Sequence, residues 1–114
     1  MHIAYEDIIK SFFDDYSKMQ KKCGMEITHA IKKRINQLSA AKNFSEYLSI
    51  GLGRPHLLSG DLNGLYAVSV TGNLRLILFP VSADSGSVSL IKCDTILIKG
   101  VLDYHGTKNE WIIP

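Results

Sequence analysis

The chain has 114 residues, 46% of them hydrophobic and 21% charged, which is enough for one domain with its own core and too little for two. Thirteen Lys and Arg against eleven Asp and Glu give a net charge of +2, and that average by itself argues against a strong nucleic-acid or membrane binder. No run approaches the roughly 18 apolar residues of a membrane span, and Glu6, Asp7, Asp14 and Asp15 make the N-terminus unlike a signal peptide. A cytoplasmic protein is expected. Cys23 and Cys93 lie far apart with no Cys or His at metal-ligand spacing, so two reduced thiols are expected, a disulfide stays open, and no zinc site is expected.

Ile8, Ile9, Phe12, Phe13, Tyr16 and Met19 recur at spacings of three and four, which predicts one amphipathic helix over residues 7–22 with Asp7 as N-cap and Gly24 ending it. Residues 25–41 form a second helix, with Ile27, Ile31, Ile35 and Leu38 on one side and Lys32, Lys33 and Arg34 on the other. A short third helix begins at Asn43, where Asn43 and Glu46 have capping-box spacing.

After Gly51 the period shifts toward two and glycines punctuate short runs. Residues 54–58 read as a short strand, 60–64 as a turn, and 65–71 as an alternating strand. Gly72-Asn73 reads as a tight turn tolerant of positive φ, and residues 74–80 as the most apolar strand. A polar loop follows over 82–87. Residues 87–105 then hold one long bent strand or two strands broken near Asp94. The expected fold is α+β: two to three N-terminal helices packed on a small antiparallel sheet of about four strands, in a single domain over 1–114.

No P-loop, nucleophile elbow or metal motif is present. Three features can carry chemistry, and each also reads as ordinary structure. Asp103-Tyr104-His105 closes the last long strand, with Asp103 and His105 on one face and Tyr104 on the other by alternation. A carboxylate near an imidazole suits acid/base work around neutral pH, and the plain alternative is a polar strand end. Arg54-Pro55-His56, with Ser59, offers a cation and a second imidazole, or simply an exposed loop. Arg75 shares a strand face with Ile77 and Phe79, so its head must snorkel, pair with a carboxylate or meet an anion.

Together the runs Gly53-Arg54-Pro55-His56-Leu57-Leu58-Ser59-Gly60-Asp61, Tyr66-Ala67-Val68-Ser69-Val70-Thr71-Gly72-Asn73-Leu74-Arg75-Leu76 and Asp103-Tyr104-His105 resemble the RelE/ParE toxin superfamily, and most closely its HigB-like branch of plasmid-maintenance killer toxins. The resemblance is strongest over residues 25–105, and 106–114 form a C-terminal extension whose Trp111, Ile112 and Ile113 are expected to pack back on the sheet. It implies a RelE-like fold and a ribosome-dependent, metal-independent mRNA endonuclease without a cofactor. It also implies a helix-turn-helix, HigA-like antitoxin as partner and mRNA on the ribosome as substrate, with no membrane role.

By matched motif position, His105 is the leading acid/base. Asp103 supports it, Tyr104 offers a stacking surface, Arg75 stabilises phosphate, and His56 is a second acid/base or phosphate contact. Arg54, Ser59, Lys32, Lys33, Arg34 and Lys108 are the expected RNA contacts. Two departures from the family pattern stand out. Ser59 occupies a usual lysine position, so Lys108 or Lys99 would have to supply that charge, and Leu74 replaces a usual Trp. The alternatives are a ParE-like inhibitor of DNA gyrase and a catalytically weakened homologue that acts as an antitoxin-binding module.

The average charge hides a distribution. Residues 17–42 carry seven Lys and Arg against Glu26 alone, a local charge of +6. That face reads as solvated surface, antitoxin contact or ribosomal RNA contact.

Overall fold

The computed structural model describes residues 1–82, 93–105 and 108–114, with the side chains of His105 and Lys108 outside that description. In chain order the elements are β1 (His2–Tyr5), α1 (Asp7–Asp14), α2 (Tyr16–Cys23), α3 (Met25–Ala40), α4 (Phe44–Ile50), β2 (His56–Leu57), a 3-10 turn (Gly60–Leu62), β3 (Tyr66–Ser69), β4 (Leu74–Ser82), β5 (Cys93–His105) and β6 (Lys108–Ile113).

The single helix expected over 7–22 is two. Asp15 adopts an extended conformation between α1 and α2, and its carboxylate accepts from the Ser17 backbone N–H at 3.0 Å and the Ser17 hydroxyl at 2.6 Å. Local side-chain capping of this kind competes with helix continuation. The cap of α1 is Glu6 rather than Asp7, and it makes no side-chain capping bond. Gly24, at φ +88°, separates α2 from α3. Asn43 caps α4 as expected, accepting from the Glu46 N–H at 2.9 Å.

Among the described residues the sheet has six strands in the order β1-β5-β4-β3-β2, with β6 also paired to β5. It is mixed, because β1 runs parallel to β5 while β2 to β6 pair antiparallel. The expected four-stranded antiparallel sheet is therefore its middle. Strand β1 is too short for its alternation to stand out, and β6 forms only because β5 offers an edge beyond Gly100. Of the strand expected over 54–58, only His56–Leu57 is paired. The β3–β4 turn closes with the Val70 N–H donating to the Leu74 carbonyl at 2.9 Å, and neither Gly72 nor Asn73 takes a positive φ. The expected loop over 82–87 and the start of the last strand lie largely outside the described residues. From Cys93 onward β5 is one unbroken strand, and its pairing with β4 is irregular at two places, near Gly100 and at Asp94, which the register skips between Thr95 and Cys93.

The four described helices cover one face of the sheet. Ile9, Phe12, Phe13, Met19, Ile31, Ile35, Leu38, Phe44 and Tyr47 pack there on Val68, Leu76, Leu78, Ile96, Ile98, Val101 and Ile113. Burying such side chains is the main stabilising contribution, about 1.5–3 kcal/mol for each large one. The opposite face holds a smaller cluster of Ala67, Ile77 and Leu102, roofed by Leu58, Leu62 and Leu65 from the β2–β3 connection and flanked by Tyr104. The two cysteines are free thiols, Cys93 buried and Cys23 partly so, and burial raises both thiol pKa values. No described helix is long and apolar enough to cross a membrane.

Candidate functional site

Cross-strand partners share a face, so the register shows which candidates meet. Arg75 pairs with Leu102 and with Ser69, His56 pairs with Ala67, and Ala67 pairs with Ile77. Arg75, His56 and Tyr104 therefore all stand on the sheet face opposite the helices. Arg75 and Tyr104 touch, with the guanidinium carbon 5.5 Å from the ring centroid. His56 is exposed, two strands away and roughly 12 Å from Arg75 by strand spacing. Its Nδ1 lies 3.2 Å from the Arg54 carbonyl oxygen, so an Nδ1–H there leaves Nε2 as the outward acceptor.

Arg75 is fixed by backbone. Its Nη1 donates to the carbonyls of Thr71 at 3.0 Å, Gly72 at 3.1 Å and Leu74 at 3.1 Å. The turn is tied in its own right to β5, the Tyr104 N–H donating to the Asn73 carbonyl at 2.8 Å. Among the described residues no carboxylate pairs with Arg75, and the bonds of its guanidinium to them run through Nη1. A guanidinium anchored through one nitrogen and supported by an aromatic ring presents a planar fork in one orientation, which is what phosphate recognition uses. The anchoring carbonyls have no letter in the sequence, so pattern reading had no means of finding them.

Neither a protein-family model nor a curated protein sequence matches the chain. Among solved structures it is similar to a YoeB/ParE toxin from Agrobacterium tumefaciens, at TM-score 0.56 and 20% identity over 93% of this chain and 100% of that one. It is also similar to YoeB of a YoeB–YefM complex from Staphylococcus aureus, at TM-score 0.54 and 19% identity over 93% and 98% of the two chains. A YoeB dimer from the same organism gives the same values. The chain has the YoeB/ParE toxin fold.

The likeness to the RelE/ParE superfamily thus holds at the level of architecture, and the HigB-like branch stays an expectation. On this toxin fold the other candidates are spread more widely. Asp103 pairs with Leu74 and Glu110 and lies on the face opposite Tyr104. His105 ends β5 with its backbone paired to Lys108, and both side chains lie outside the described residues. Arg54 is exposed and takes φ +51°, a conformation uncommon for a non-glycine residue. Ser59 is exposed just before the 3-10 turn. Lys99 is ion-paired with Glu6, so its charge is already partly used within the fold.

The basic stretch of α3 divides. Arg34 donates from Nε to the Ser69 carbonyl at 2.8 Å and from Nη1 to Gln37 Oε1 at 2.6 Å, binding the helix to β3. Gly53 fits beneath it at φ +75°, where a Cβ would lie 2.5 Å from Val68 and 3.0 Å from the guanidinium. Lys32 and Lys33 instead line an open groove of about 470 Å3 with His29 and Asn36, and Lys32 lies 5.3 Å over the Tyr16 ring. Among the described residues no three His, Cys, Asp or Glu side chains converge as a metal site would need.

Proposed function

We propose that this chain is the toxin of a type II toxin–antitoxin system and cuts mRNA on the ribosome as a metal-independent endoribonuclease. The observation that carries the reading is the Arg75–Tyr104 pair, held by the β3–β4 turn on the sheet face opposite the helices of a toxin fold. A base takes the proton of a ribose 2′-OH, and that oxygen bonds to the adjacent phosphorus. The bond to the 5′-oxygen breaks, and an acid returns a proton to the leaving oxygen. Extra negative charge develops on the phosphate, where a fixed guanidinium stabilises it most. In this reading Arg75 holds the phosphate, Tyr104 stacks a base, His105 and His56 move protons, and Asp103 supports His105. The partner is a small antitoxin, as YefM is for the S. aureus YoeB in its heterotetrameric complex.

Expression of the wild type should give translation-dependent mRNA cleavage, reduced about 100-fold or more in His105→Ala and Arg75→Ala. Undiminished cleavage in both variants removes those roles. Trapped gyrase–DNA complexes without mRNA cutting favour the ParE-like reading instead. The exposed hydroxyl of Ser59, at a position where a lysine is usual, favours a second reading, a weakened homologue that binds antitoxin. Activity that appears only in Ser59→Lys selects it.

A further inference from the structure

Trp111 pairs with Leu102, and Leu102 pairs with Arg75, so the indole stands on the same sheet face as the guanidinium. Two strand spacings separate them, about 10 Å. The indole lies over Gly100, where a Cβ would come within 2.9 Å of its Cζ3. Even so, Trp111 is 44% exposed, and it walls an open groove of about 480 Å3 with Leu62, Leu65, Ile8, Lys99 and Glu6. An aromatic wall beside a cationic phosphate site suits single-stranded nucleic acid.

We infer that Trp111 is a second nucleobase platform, receiving a base of single-stranded RNA next to the one at Tyr104. The inference rests on the reading of Arg75 and Tyr104 as an RNA site and extends it to an element outside the stretch of strongest resemblance. Two observations favour RNA as the occupant. Trp111, Leu102 and Arg75 form one cross-strand row, which sets the indole and the guanidinium on the same side of the sheet. The aromatic surface itself accepts any base, because every base has a π-face.

Trp111 is the only tryptophan in the chain, so its intrinsic fluorescence reports on this groove alone. Titration of the full chain with a short 2′-O-methyl oligoribonucleotide, which cannot be cleaved, should quench and shift the emission saturably. By fluorescence anisotropy of a labelled copy of that oligonucleotide, Trp111→Leu should bind about tenfold more weakly and Trp111→Phe within a few-fold of wild type. An unchanged wild-type spectrum together with equal binding by Trp111→Leu overturns the platform. If Arg75→Ala and Tyr104→Ala then still weaken binding, the RNA site itself stands. If the wild type binds no oligonucleotide, or binding ignores Arg75 and Tyr104, the site reading falls and the platform with it. Emission that responds to protein concentration and not to RNA assigns the groove to a second copy and likewise overturns the proposal.

Discussion

The guanidinium of Arg75 lies 5.5 Å from the centre of the Tyr104 ring, on adjacent antiparallel strands. Each residue is held by the same turn, Arg75 through the carbonyls of Thr71 and Gly72, and Tyr104 through that of Asn73. The two side chains and their support therefore form one unit.

Arg75→Lys should fail to replace arginine. One ammonium cannot bond the turn carbonyls and also present a planar fork to phosphate, so cleavage should fall about 100-fold while thermal stability changes little. Single-turnover cleavage alongside a melting curve separates the two. Recovery of full activity in the lysine variant would show that only charge matters.

Tyr104→Phe should keep both ring and stacking, whereas Tyr104→Ala removes the flank of the Ala67–Ile77–Leu102 cluster as well. The alanine variant is expected to lose about 2–4 kcal/mol of stability, measured by urea unfolding, and the phenylalanine variant less than about 1 kcal/mol.

Gly100→Ala brings a methyl to 2.4 Å from the Ile113 carbonyl oxygen and 2.9 Å from Trp111. Strand β6 must shift, at an expected cost of about 2–3 kcal/mol. Amide exchange should rise first in β6 and at the end of β5, and uniform protection in the variant would count against this seat.

On α3, Arg34→Ala should destabilise by about 1–3 kcal/mol, because the Ser69 carbonyl and Gln37 lose their donor. Lys32→Ala and Lys33→Ala, both exposed, should stay within about 0.5 kcal/mol of wild type. Equal melting temperatures for all three would contradict the clamp.

Burial pushes the Tyr5 phenol up to about 12, with Tyr16 and Asp14 nearby adding to it, and burial likewise raises Tyr16 and Tyr47. The folded state keeps these protons where the unfolded chain releases them. Their contribution is thus complete below about pH 10 and is lost as pH rises toward 12. At the acid end the Ser17 hydrogen bonds lower the Asp15 carboxyl, so its contribution is present above about pH 4 and is lost as pH falls through the lowered value. Urea midpoints across pH should show both slopes, with the alkaline one shallower in Tyr5→Phe.

Periodicity placed α3, β3, β4 and the helix-to-strand change near Gly51, since a buried stripe of Ile31, Ile35 and Leu38 or an alternating Tyr66–Ser69 is written in side-chain polarity, and the capping-box spacing of Asn43 and Glu46 placed α4. Local polarity also put Arg75 and Ile77 on one face and Asp103 opposite Tyr104. The break at Asp15 was less legible because a capping carboxylate looks like any exposed acid in a helical pattern. Only the tertiary structure decided that β1 joins β5 in parallel, that the extension becomes β6, and that Arg34 faces inward to Ser69 while Lys32 and Lys33 face out. It alone brought Trp111, Leu102 and Arg75 into one row. The reason is physical: a residue's own polarity reports whether it is buried, whereas its neighbours depend on backbone pairings between distant segments, and backbone hydrogen-bonding groups are nearly the same for every residue.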